Sequence, residues 1–99
     1  HASEMARQSR VNLHLEAAHL PLLPGAMAAA TDGVRTSAHR QATVSVSGVD
    51  PVMLALLQDP QTSGGLLASV APETMPALAA AGWSRIGEVT VGPGEVLVH

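Results

Sequence analysis

The chain reads as an α/β protein of the α+β kind: a single mixed sheet with packed helices, in one domain spanning residues 1–99. Three observations carry that reading. Short stretches at 11–16 and 43–47 carry the alternating apolar and polar residues of strands with one buried face, and 85–91 and 95–98 read as two further strands. Between them lie apolar runs that open on Pro or Asp-Pro, two of which stop at Gly, and these mark helices. The order of strand, helix, strand and then neighbouring strands lacks the strict alternation of a doubly wound sheet. At 99 residues and 46% apolar content the chain suits one core. It has no Phe or Tyr and one aromatic residue, Trp83, so that core must be aliphatic and its elements must approach closely.

Taken in order, Ser3 caps a short helix over about residues 4–9, with Glu4 in the first turn where the helix dipole favours an anion. In the next stretch Val11, Leu13 and Leu15 point to one face of a strand and Asn12, His14 and Glu16 to the other. Pro21 and Pro24 keep 20–24 out of any helix interior. Pro24 suits the first turn of a helix over roughly 24–31, which Gly33 stops. Residues 35–41 read as loop, and 43–47 as a short edge strand. Asp50-Pro51 places a cap before a first-turn proline, for a helix over about 51–58 with a broad apolar surface. An apolar strand follows at 66–71. A helix then opens at Pro72-Glu73 and ends at Ala81 before Gly82. The strands at 85–91 and 95–98 flank Gly92-Pro93-Gly94, the signal of a three-residue hairpin.

The most informative stretch is Asp59-Pro60-Gln61-Thr62-Ser63-Gly64-Gly65, which runs into Leu66-Leu67-Ala68-Ser69-Val70. Asp then Pro dresses a type I turn closing near Thr62, with Asp59, Pro60 and Gln61 as its structural part. Gly64 and Gly65 permit positive φ and close approach, since neither carries a Cβ. Two readings follow. Thr62, Ser63, Gly64 and Gly65 can present their amides as an anion nest, or the diglycine simply leads a strand into a crowded sheet.

Composition narrows the function. The net charge is −3, all five cationic side chains are Arg, and no basic stripe is present. With a single aromatic residue as well, a nucleic-acid partner is not expected. There is no Cys, so thiolate catalysis and zinc–thiolate sites are excluded within this chain. No apolar run reaches the roughly 18 residues of a membrane span. The chain begins on His1 without an initiating Met or a signal-peptide pattern and reads as a piece of a longer cytoplasmic protein.

No catalytic or metal-binding set emerges. Asp50, Glu4, Glu73 and Asp32 occupy helix-end positions that explain them. His14 and His19 lack a second ligand at metal-binding spacing. A Walker-type loop needs a Lys and a helix after its glycines, and this chain has no Lys. Ser63 has no neighbouring base or elbow motif and suits turn support.

Residues 59–67, Asp-Pro-Gln-Thr-Ser-Gly-Gly-Leu-Leu, resemble the signature of the C-terminal domain of selenide, water dikinases (selenophosphate synthetases). Leu20-Pro21-Leu22-Leu23-Pro24-Gly25-Ala26, the opening His1 to Ala6 and Ile86-Gly87-Glu88-Val89 agree with that family in the same order. Thr36-Ser37-Ala38-His39-Arg40-Gln41 departs from it: a Gly-Gly-Thr-Arg-Arg-Asn-type segment is usual there, and only Arg40 survives.

The resemblance implies an AIR-synthetase-like C-terminal domain with partial ferredoxin-like topology. It implies part of an enzyme that turns selenide, ATP and water into selenophosphate, AMP and phosphate with magnesium. The reactive Cys or Sec, its Lys and the metal-binding aspartates would lie in a missing N-terminal ATP-binding domain of the same chain, and the full-length protein would be a bacterial homodimer. His1, matching the family's Gly-His step, joins Thr62, Ser63, Gly64 and Gly65 as a phosphate-proximal candidate. This chain alone would be inactive and hold no cofactor. The alternative is a stand-alone, non-catalytic ferredoxin-like module that binds an anion or metabolite.

Overall fold

Val11, Leu13 and Leu15 alternate with Asn12 and His14, and this period of two gives β1 (Val11–Leu15) one apolar and one polar face. In the computed structural model, which describes residues 1–35, 45–46, 48–60 and 64–99, β1 lies inside a four-stranded mixed sheet. The others are β2 (Ser45–Val46), β3 (Gly87–Val91) and β4 (Val96–Val98), in the order β2-β4-β1-β3. β3 runs antiparallel to β1, with Val91 opposite Val11 and Gly87 opposite Leu15. On the other side β4 runs parallel to β1, with Val96 opposite Leu13, and β2 runs parallel to β4. The α+β class with one mixed sheet is therefore realised. The expected loop at 36–41, Gln61, Thr62, Ser63 and most of strand 43–47 lie outside the described residues.

One helix layer covers part of the sheet. α1 (Ala2–Ser9) lies over β1 and β4, and its fully buried Ala6 joins Leu13, Val96 and Val98 in the core. Met5, Val11, Leu15, Val49 and Leu57 pack partly buried around them. Fully burying a Val or Leu side chain contributes about 1.5–3 kcal/mol, so these few residues hold the layers together. α2 (Ala26–Thr31) packs on α3 (Pro51–Leu57), where small Ala side chains allow close approach. Asp50 caps α3 as its sequence requires: Val52 N–H donates to Asp50 Oδ1 at 2.6 Å, and Pro51 fills the first turn. Pro72–Thr74 form a 3₁₀ turn that leads into α4 (Met75–Ala80), with Pro76 in the tolerated first turn.

Several expectations are corrected. α1 begins at Ala2, because Met5 N–H donates to the His1 carbonyl at 2.9 Å; Ser3 is inside the helix and caps nothing. α2 begins at Ala26, after Pro24 and a left-handed Gly25. The segment 92–94 is not a hairpin turn, since β3 and β4 straddle β1. It crosses the start of β1, where Asn12 Oδ1 accepts from Gly94 N–H at 3.2 Å and Glu95 N–H at 3.0 Å. Leu13 N–H donates to the Glu95 carbonyl at 2.9 Å, which fixes the crossing. Gly94 has φ +108°, and a Cβ there would lie 2.8 Å from Arg7 Cα, so the chain passes α1 at a distance only glycine permits.

Residues 66–71 form no strand and are exposed throughout. Strand propensity is realised only against a partner. Both sides of β1 are taken by β3 and β4, the far side of β4 is taken by β2, and the segment does not pair with the open outer edge of β3.

Candidate functional site

α3 presents two faces, and each walls a cavity that reaches a residue singled out from the sequence. On one face Ala55, Leu56 and Asp59 meet Ala26, Ala29, Ala30, Val34 and Arg35 around a cavity of about 210 Å³. Asp59, first residue of the signature, is half-buried there and closes the helix end by donating its N–H to the Leu56 carbonyl at 3.1 Å. Arg35 Nη1 donates to the carbonyls of Ala30 and Val34, both at 2.8 Å, so this guanidinium braces the end of α2.

On the other face Leu54, Leu57 and Gln58 meet His1, Ala2, Ser3, Val96 and Val98 around a cleft of about 100 Å³. The fold thus brings His1 to Gln58, the residue just before the signature. His1 is exposed and starts α1. Pro60 is exposed, and Thr62 and Ser63 lie outside the described residues.

Gly64 and Gly65 differ from the expectation. Neither has a left-handed φ, and nothing lies within 4 Å of where a Cβ would stand on either. An alternating-handed amide nest needs a left-handed residue, and strand entry needs a strand. Neither geometry is formed at these two positions.

The polar face of the sheet holds a cluster that sequence spacing did not reveal. His14 Nδ1 stands 3.2 Å from His99 Nε2, and His14 Nε2 stands 3.0 Å from Thr90 Oγ1. The ring planes differ by 3° with centroids 5.4 Å apart. The facing nitrogens are closer than the centroids by about a ring's width, so the imidazoles meet edge to edge and one proton bridges them. Beside them His19 Nδ1 pairs with Glu16 at 2.8 Å, and Arg85 lies 3.8 Å from Glu16 and 3.6 Å from Glu88. These pairs are exposed, and each contributes about 0–1 kcal/mol. Glu16 and Arg85 meet between the end of β1 and the start of β3, so the face acts as a clasp between strands. Among the described residues no group of three or more His, Asp or Glu could hold a metal ion, and no helix is long and apolar enough to cross a membrane. Only the strand register brings His14, Thr90 and His99 together.

No protein-family model and no solved structure matches the chain. Curated relatives do. A selenide, water dikinase of Burkholderia ambifaria (strain MC40-6) is 38% identical over 110 positions, taking in 97% of this chain and 31% of its own length. One of Pseudomonas straminea is 34% identical over 99% of this chain and 31% of its own length. One of Citrifermentans bemidjiense is 40% identical over 74% of this chain and 22% of its own length. The 110 aligned positions exceed the chain's 99 residues, so the first relative holds residues inside this stretch that the chain lacks. The chain is similar to selenide, water dikinases along nearly its whole length and spans 31% of the length of the first relatives it matches.

Proposed function

We propose that this chain is the C-terminal, AIR-synthetase-like domain of an ATP-dependent selenophosphate synthetase, and that it supports an active site carried by an N-terminal ATP-binding domain. One observation carries the reading: relatives named selenide, water dikinase align along nearly the whole chain while extending well beyond it. The reaction would take selenide, ATP and water to selenophosphate, AMP and orthophosphate, with ATP and magnesium held by the full-length bacterial enzyme, a cytoplasmic homodimer. Phosphoryl transfer needs cations and metal-binding carboxylates gathered around the phosphates. This chain has no Lys and no Cys, and most of its described carboxylates lie at helix ends and in surface pairs. Its part is to close the cleft, with Thr62, Ser63, Gly64, Gly65 and His1 nearest the phosphates. The cleft shared by His1 and Gln58 supports placing these two regions on one side of the domain.

The test is a chimera in which these 99 residues replace the matching stretch of the Burkholderia ambifaria relative. Selenide-dependent formation of AMP and orthophosphate is expected from the chimera and not from the 99 residues alone. Selenide-dependent AMP from the isolated chain would overturn the supporting role.

A further inference from the structure

We infer that the segment from Gly64 to Trp83, with the uncovered outer half of the sheet at β3, is the surface on which this domain seats against the rest of a selenide, water dikinase polypeptide. The inference rests on the proposed function and names the face that meets the catalytic part.

Three observations converge. From Gly64 to Ser84 the only ionisable side chain is Glu73, yet nearly every residue of the run is exposed, with only Met75 and Leu78 half-buried. Leu66 is 83% exposed, and Leu67, Val70 and Trp83 are each more than a third exposed. A surface that faces water carries mixed charge, whereas the centre of a protein interface is depleted of charge and enriched in Trp and Met. A soluble monomer rarely leaves a run of this length so apolar and so bare.

The sheet is open on the same account. α1 covers β1 and β4, while Val89 and Val91 of β3 share the apolar face with Leu13 and Val11 and stay uncovered, Val91 at 98% exposure. Leu66 to Val70 belong to no strand, so their backbone groups are available for pairing.

The occupant follows from the length of the relatives. They match along nearly this whole chain, and the polypeptide accompanying the matched part is larger than that part itself, since it makes up the rest of proteins of which the chain spans 31%. The signature at 59–65 leads directly into the bare segment, which places the surface beside the residues assigned to the phosphates. The complementary face is therefore an apolar, charge-poor protein surface of the catalytic portion, not a second copy of this domain.

Hydrogen–deuterium exchange, read on peptides covering 64–83, compares the chain alone with the chimera described above. Amides in this segment should exchange about tenfold or more slowly in the chimera. Equal exchange in a chimera that still forms AMP from selenide and ATP overturns the docking surface and leaves the functional reading standing. Slowed exchange in a chimera without that activity supports the docking surface and counts against the functional reading. In the chain alone, Leu66→Asp combined with Val70→Asp should leave Tm within about 3 °C, because both side chains stand in water. A larger fall would show that the chain's own core covers them, and concentration-dependent protection of 64–83 in the isolated chain would assign the face to a second copy. Either result overturns the proposal.

Discussion

His14 Nδ1 and His99 Nε2 face each other at 3.2 Å across the sheet, edge to edge, and tie the middle of β1 to the residue that follows β4. Because the second nitrogen of His14 reaches Thr90 Oγ1 on β3 at 3.0 Å, one side chain joins three strands. The Thr90 contact is partly buried and the His99 contact is exposed, so the two should differ in weight. Thr90→Val is expected to cost about 1 kcal/mol, the net worth of an ordinary hydrogen bond. A double-mutant cycle of His14→Ala and His99→Ala in urea should give a coupling of about 0.5 kcal/mol. Coupling indistinguishable from zero would show that the His99 contact contributes nothing to stability.

Asn12 does for the chain crossing what no turn sequence could do alone. Its Oδ1 receives the N–H groups of Gly94 and Glu95 and holds the β3–β4 connection over the start of β1. Asn12→Leu removes the acceptor for two backbone donors and is expected to destabilise by about 1–3 kcal/mol. Asn12→Asp keeps an oxygen in place and should lose much less. Equilibrium denaturation of the two variants decides the matter: equal losses would mean that Asn12 acts through packing and not as an acceptor.

Local chemistry made much of the fold legible and left its connectivity hidden. Asp50-Pro51 specified a helix start because cap and first-turn proline act within a few residues of one another. Alternation specified β1 for the same reason. Gly92-Pro93-Gly94 pointed to a hairpin, and only the insertion of β1 between β3 and β4 overrules it, which is a property of distant residues. Leu66 to Val70 carry strand chemistry but pair with no strand, although the outer edge of β3 is open, so propensity named a state that the tertiary structure does not supply. In the candidate site, His1 was identified through resemblance, but its meeting with Gln58 depends on how α1, α3 and β4 come together around one cleft. The pairing of His14 with His99 had no sequence signal, since the two are 85 positions apart.

Arg10 ends α1 in the left-handed region, at φ 54° and ψ 48°, with its N–H turned back to the carbonyls of Ala6 and Arg7. Glycine is the usual residue at such a helix end, because a Cβ costs roughly 1–2 kcal/mol there. Arg10→Gly should therefore raise stability by about 0.5–1 kcal/mol, once the greater freedom of glycine in the unfolded chain is offset. Thermal melts of the two proteins read this directly. A lower Tm in the glycine variant would mean that the Arg10 side chain contributes more than its backbone geometry costs.

Two glycines that look alike in the sequence should respond in opposite ways. Gly87 sits opposite Leu15 at the end of the β1–β3 ladder, and a Cβ built on it would overlap the carbonyl oxygen of His14. That obstruction is backbone, which can yield only by parting the strands, so Gly87→Ala is expected to cost about 3 kcal/mol. Gly65 has open space around it and no left-handed φ. Gly65→Val should therefore stay within about 0.5 kcal/mol of the parent, as exposed substitutions without strain do. Chemical denaturation of both variants separates the positions. A loss at Gly65 as large as that at Gly87 would show the diglycine to be a constrained turn.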